Sequence, residues 1–98
     1  MTFTLSVEAL IDLEDIWFYT AEKWSTSQAD RYVNQILDEI EYISSNPENG
    51  IDYSHVRKKY FRTKVQSHFI YYKKETKKNN LEVVRVLHEM MDLDYHLD

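Results

Sequence analysis

The amino-acid sequence predicts an α+β domain with a short N-terminal strand, an α-helical hairpin, a three-stranded antiparallel β-sheet and a short C-terminal helical tail, in the order β-α-α-β-β-β. Three observations predict it. Apolar residues recur every three to four positions through the first half of the chain. The period shortens toward two in the second half. The gaps between the later apolar runs are too short for anything but antiparallel hairpins. The 98 residues are read as one domain, with no linker and no internal repeat.

Phe3–Leu5 is short and apolar and is expected as a first or edge strand. Ser6 can cap the helix that follows, and Glu8 suits its first turn, where free amide groups favour negative charge. Leu10, Leu13, Ile16, Trp17, Thr20/Ala21 and Trp24 form one apolar stripe expected in the core, while Asp12, Glu14, Asp15 and Glu22 largely avoid it. Ser25-Thr26-Ser27-Gln28 fits a capping box that opens a second helix. Ala29, Tyr32/Val33, Ile36, Ile40 and Ile43 make that helix's apolar face. Asn46-Pro47-Glu48-Asn49-Gly50 ends it, because proline cannot donate to the ladder and Gly50 permits a left-handed turn. Two amphipathic helices joined by about two residues must fold back on each other.

Lys59–Val65 alternates Phe61, Thr63 and Val65 against Tyr60, Arg62 and Lys64, so the last two share a strand face. His68–Lys73 is rich in aromatic and branched residues, Lys77–Asn80 is a polar turn, and Leu81–Leu87 is the strongest strand signal. The segment from Met91 to Leu97 is expected to form a last helical turn.

Composition excludes several classes. There is no cysteine, hence no disulfide, thiolate metal site or cysteine nucleophile. The first seventeen residues hold four acids and no base, unlike a secretory signal, and no apolar run reaches the roughly 18 residues of a membrane span. No glycine-rich loop exists to cradle a nucleotide phosphate. His68, His88 and His96 lack ligand spacing, so neither metal nor cofactor is expected. His88 and Glu89 adjoin in an extended run and would point to opposite faces.

The net charge of −5 is unevenly spread: residues 1–54 carry −9, residues 55–88 carry +8 and residues 89–98 carry −4. An acidic half followed by a basic half predicts an oriented field and an anionic partner. Lys73, Lys74, Lys77 and Lys78 read as solvated charges that guard sheet edges. Arg57, Lys58, Arg62 and Lys64 read as a binding patch. Arg85 interrupts an apolar strand, so it needs an anion, either a partner's or an acid from the helices. Tyr19 and Tyr42 fall off the apolar stripes and are candidate exposed contacts.

Taken in order, several stretches resemble ParE-type toxins of the RelE/ParE superfamily over nearly the whole chain. They are Leu5-Ser6-Val7-Glu8-Ala9, Asp12-Leu13, Ile16-Trp17, Tyr19-Thr20, Trp24, Gln28-Ala29-Asp30-Arg31-Tyr32 and Asn46-Pro47-Glu48-Asn49-Gly50. His68-Phe69-Ile70-Tyr71-Tyr72, Val84-Arg85-Val86-Leu87-His88, Met91-Asp92 and His96-Leu97 continue the series. The resemblance implies a cytoplasmic toxin that is neutralised by a ParD-like antitoxin, poisons DNA gyrase by binding, and meets DNA through gyrase or antitoxin. Within it, Arg57, Lys58, Arg62, Lys64, Arg85 and His88 become expected target contacts, and Trp17, Tyr19, Trp24, Tyr42 and Tyr60 expected antitoxin contacts.

Two positions depart from the family pattern. Gln66 stands where glycine is common, and the run Glu89-Met90-Met91-Asp92 lacks the arginine that often precedes Met-Asp. The alternatives are a ribosome-dependent mRNA endoribonuclease of the RelE kind, an inactive co-repressor, and direct nucleic-acid binding by the basic half, against which the acidic first half, the net charge of −5 and the missing recognition motif count as a main activity. The first wants cationic groups after the last strand; this chain has Glu89 there.

Overall fold

The computed structural model describes residues 1–91, so the helical turn expected up to Leu97 lies outside the described residues except for Met91. Strand β1 (Thr2–Leu5) leads through Ser6 into α1 (Val7–Lys23), and α2 (Thr26–Ser45) returns antiparallel to it. Four strands follow: β2 (Ile51–Asp52), β3 (Tyr60–Val65), β4 (His68–Glu75) and β5 (Asn80–His88). They form one five-stranded sheet of order β1-β5-β4-β3-β2.

Both helix starts are capped as expected. Ser6 Oγ accepts from the Ala9 amide at 3.0 Å, and Ser25 Oγ accepts from the Gln28 amide at 3.1 Å. The hairpin covers one face of the sheet. Ala9, Leu13 and Ile16 of α1 and Ile36, Ile40 and Ile43 of α2 bury against Val65, Ile70, Tyr72, Leu81, Val83 and Val86. The loose alternation of the second half thus resolves into a sheet with one face toward the helices.

The sheet differs from the expected one in two ways. It has five strands, because Ile51–Asp52 pairs with β3 as a short edge strand and Thr2–Leu5 joins the other edge. It is also mixed, because β1 runs parallel to β5. The helical hairpin is a crossover long enough to bring the chain back in parallel, a constraint that gap length between later strands does not reveal.

Two α1 assignments are corrected. Leu10 is half exposed, and the buried row is Ala9, Asp12, Leu13, Ile16 and Thr20. Trp24 is 67% exposed because it lies beyond the helix as its C-terminal cap, where helical periodicity no longer applies. Trp17 is only half-buried, and its indole N–H donates to Asp30 Oδ1 at 2.8 Å.

Gly50 is also corrected: its φ is −75°, an ordinary extended value. The glycine serves space instead. A Cβ there would sit 1.6 Å from the phenol oxygen of Tyr72, whose ring is fully buried. That hydroxyl donates to the Pro47 carbonyl at 3.2 Å and so ties the loop after α2 to the sheet. Burial pushes the Tyr72 phenol up to about 12.

Candidate interaction surfaces

Asp12, expected off the core stripe, sits within it. Its carboxylate accepts from Arg85 Nε and Nη2, each at 2.8 Å, and from the Val86 amide at 2.9 Å. Strand β1 ends opposite Val83, so the β5 edge beyond it would leave an amide without a partner. Asp12 completes that edge. The bidentate bond raises the Arg85 pKa further, with burial opposing it. A bulge at this point leaves Val84 outside the register between Tyr71–Arg85 and Tyr72–Val83. Arg85 therefore has the internal partner that its sequence position allowed, and its charge is committed to holding α1 on the sheet.

The other expected target contacts divide between two places. Arg62 and Lys64 share the sheet face that the hairpin leaves uncovered, opposite Tyr71 and Phe69 of β4. Arg57 and Lys58 lie in the loop before β3. Tyr60, expected as an antitoxin contact, is also on this outer face, opposite Lys73, whose Nζ stands 5.7 Å from its ring centre. Here Tyr53, Tyr60, Phe69 and Val84 pack around buried Tyr71 and Leu87 as a second apolar cluster. Lys64 Nζ donates to Glu89 Oε1 at 2.9 Å, which holds the Glu89 carboxyl below the usual range. Lys73 lies 3.7 Å from Glu82.

His88 sits elsewhere, at a cleft between the loop end of the hairpin and the β3–β4 turn. The cleft encloses about 690 Å³, and Ile16, Tyr19, Trp24, Tyr32, His68 and His88 are among the residues that line it. Tyr19 and Trp24, both expected antitoxin contacts, meet here. Tyr42 does not: it is exposed near the end of α2, where its hydroxyl accepts from Asn49 Nδ2 at 2.7 Å.

Two polar residues of the cleft were not singled out in the sequence as site residues. The Tyr32 hydroxyl lies 2.6 Å from His68 Nδ1, and the His68 and His88 rings pack edge to face at 5.3 Å. Burial, with the neighbouring His88 charge adding to it, lowers the His68 pKa to about 4, so the ring is neutral at pH 7. Cross-strand pairing of positions 68 and 88 is the missing signal, and it exists only once the register is known.

A third surface was missed outright. Val7, Leu10, Ile11 and Phe18 recur at helical spacing along the outer side of α1, each at least half exposed. The helix is apolar on two sides, which makes its inward stripe hard to choose from sequence. Phe18 packs edge to face on Trp17 at 5.2 Å. Acids flank the ridge: Glu8, Glu14, Asp15 and Glu22 all lie on α1. Among the described residues, no group of three or more His, Asp or Glu could hold a metal ion, and no helix is long and apolar enough to cross a membrane.

Fold and surfaces together define a small α+β domain that offers an apolar, acid-flanked helix and cleft on one side and a cationic, aromatic sheet face on the other. The chain is matched over residues 3–93 by the family model described as the ParE toxin of type II toxin–antitoxin systems, parDE. It is 34% identical to Toxin ParE1 of Mycobacterium tuberculosis over 97% of this chain and 96% of that protein. It is equally identical, over the same shares, to Toxin ParE1 of Caulobacter vibrioides. In fold it is similar to a chain from the chromosomal ParDE system of P. aeruginosa, with a TM-score of 0.78 and 11% identity, covering 90% of this chain and 95% of that one. This chain therefore belongs to the ParE toxin family of type II toxin–antitoxin systems.

Proposed function

We propose that this toxin acts in the cytoplasm by binding rather than by catalysis, that a ParD-like antitoxin neutralises it, and that the freed protein inhibits DNA gyrase and so replication. The observation that carries this reading is the separation of two uncovered surfaces on opposite sides of the domain. The exposed ridge of Val7, Leu10, Ile11 and Phe18 and the cleft beside Tyr19 and Trp24 suit a segment that folds as it binds. Such a segment would bury apolar surface that a lone domain leaves in water. Trp17 edges the same side. Arg57, Lys58, Arg62 and Lys64 then remain as the target face, with His88 beside the cleft and Arg85 as the residue that fixes β5 against α1.

A second reading has its own observation. Tyr32, His68 and His88 place acid–base groups in the cleft, as a ribosome-dependent endoribonuclease would need. Tyr32 and His68 are bonded to each other, however, and the strand end beside the cleft carries the Glu89 carboxylate, where a scissile phosphate would want cations.

The test is a supercoiling and cleavage assay with gyrase, plasmid and this protein, run beside an in vitro translation reaction. Linearised plasmid together with intact mRNA is the expected result. Cut mRNA with normal supercoiling would replace gyrase by the translating ribosome as the target. Silence in both assays, with antitoxin binding intact, would leave an inactive co-repressor.

A further inference from the structure

Arg62 differs from the other cations of the chain. Its guanidinium carbon lies 3.9 Å from the centre of the Phe69 ring and 4.4 Å from that of Tyr53. Ring contacts of this kind engage the flat faces of the guanidinium and leave its N–H groups, which lie in the plane, as donors. Its Nε is buried and has no hydrogen-bond partner among the described residues. A planar donor group is thus fixed in place by stacking.

Its surroundings extend the pattern. Lys64 follows on the same strand face, roughly 6.6 Å along β3 by the rise of a strand. Lys73 stands on the same face across the ladder, and the loop before β3 adds Arg57, Lys58 and Lys59. Aromatic rings are interleaved with these charges: Lys64 Nζ is 5.3 Å from the Phe69 ring centre, and Lys73 Nζ is 5.7 Å from that of Tyr60. Two acids border the face: Glu82 pairs with Lys73 and Glu89 with Lys64.

We propose that this outer sheet face binds a single strand of DNA through its phosphodiester backbone, with Arg62 as the central contact. A row of cations at strand spacing suits a polymer with regularly spaced charge better than a lone anion. The interleaved rings of Tyr53, Tyr60 and Phe69 give sugars and bases an apolar surface that a chain of carboxylates would not use. The acidic hairpin on the opposite side repels the same strand, so binding is confined to one face. Among the described residues no helix projects from this face to enter a groove, so contact is with backbone and tolerates any sequence. The inference deepens the gyrase reading and rests on it for its biological setting, since a protein that inhibits gyrase works where that enzyme holds DNA. The contact itself is tested without gyrase.

The experiment is fluorescence anisotropy of a labelled oligothymidylate of about 12 nucleotides, titrated with the full chain between about 50 and 200 mM salt. The expected result is saturable binding whose logarithmic salt slope is about −2, as for roughly three neutralised phosphates. Arg62→Gln should weaken binding roughly tenfold and flatten the slope by nearly one. Arg62→Lys should keep the slope but not the affinity, because an ammonium carries the charge without the stacked plane. Thermal melts of both variants separate loss of contact from loss of fold, and Lys58→Gln, in an exposed loop, should weaken binding independently of Arg62. Binding insensitive to all three substitutions would overturn the proposal. So would an acidic polyglutamate peptide that displaces the strand at equal charge concentration, or affinity for oligouridylate alone. DNA binding with no effect on gyrase would leave this inference standing and remove the gyrase reading; gyrase inhibition unaltered by Arg62→Gln, with no DNA binding, would do the reverse.

Discussion

Gly50 is the single glycine of the chain, and its role is volume rather than backbone freedom. Tyr72 cannot retreat from a new methyl group, because its ring is fully buried and stacks on Phe61 at 5.7 Å. Gly50→Ala is therefore expected to destabilise the domain by about 2–3 kcal/mol in chemical denaturation, with Tyr72→Phe recovering part of the loss. Asp12 is the other residue on which much depends. It satisfies Arg85 and the Val86 amide together, in a site where both charged side chains are at most 16% exposed. Removing one partner strands the other, so Asp12→Ala should cost about 3 kcal/mol or more in the same measurement. Neither role is visible in the sequence. The glycine looks like turn punctuation, and the aspartate looks like one more acid on an acidic helix, because the atoms each one meets lie far along the chain.

The β3–β4 turn holds a local conflict. Gln66 has a φ of +49°, in the left-handed region where a side chain crowds the backbone. Its side chain donates to Gln35 Oε1 at 2.8 Å on the exposed surface, a bond worth little. Gln66→Gly should raise stability by roughly 0.5–1 kcal/mol, seen as a higher melting temperature. Helix α1 carries the opposite lesson. Its outer ridge lies outside the buried core, so Leu10→Ser combined with Phe18→Ser should leave stability within about 0.5 kcal/mol of the parent. If the antitoxin folds over this helix, the same pair should weaken toxin–antitoxin association by more than tenfold, read by titration calorimetry.

For the whole molecule, pH couples to folding through His68. Its folded pKa of about 4 lies below the ordinary value of 6.5, so the unfolded chain takes up the proton first. The stability that neutral His68 contributes is complete above about pH 6.5 and is lost as pH falls toward 4. Melting temperature should drop across that window, and His68→Gln should flatten the drop. The flattening distinguishes His68 from the carboxylates, such as Glu89, whose lowered values place their own losses further into acid. Charge separation is also a property of the whole. The acidic first half of the chain becomes the hairpin side and the basic second half becomes the sheet, so a pattern along the sequence turns into an oriented field.

By itself the sequence determined what depends on neighbours in the chain. Serine caps, helical and strand periods, short hairpin gaps and the run of bases from Arg57 to Arg85 are local or cumulative signals, and they were enough for the α+β order, the family resemblance and the shared face of Arg62 and Lys64. The tertiary structure alone decided the parallel pairing of β1 with β5, the bond from Asp12 to Arg85, the Tyr32–His68–His88 cluster and the choice between two apolar sides of α1. Each of these joins residues 20 or more positions apart, or selects one of two faces of nearly equal hydropathy. Such choices are settled by which arrangement satisfies every buried polar group and packs the core, and that is a property of the assembled layers.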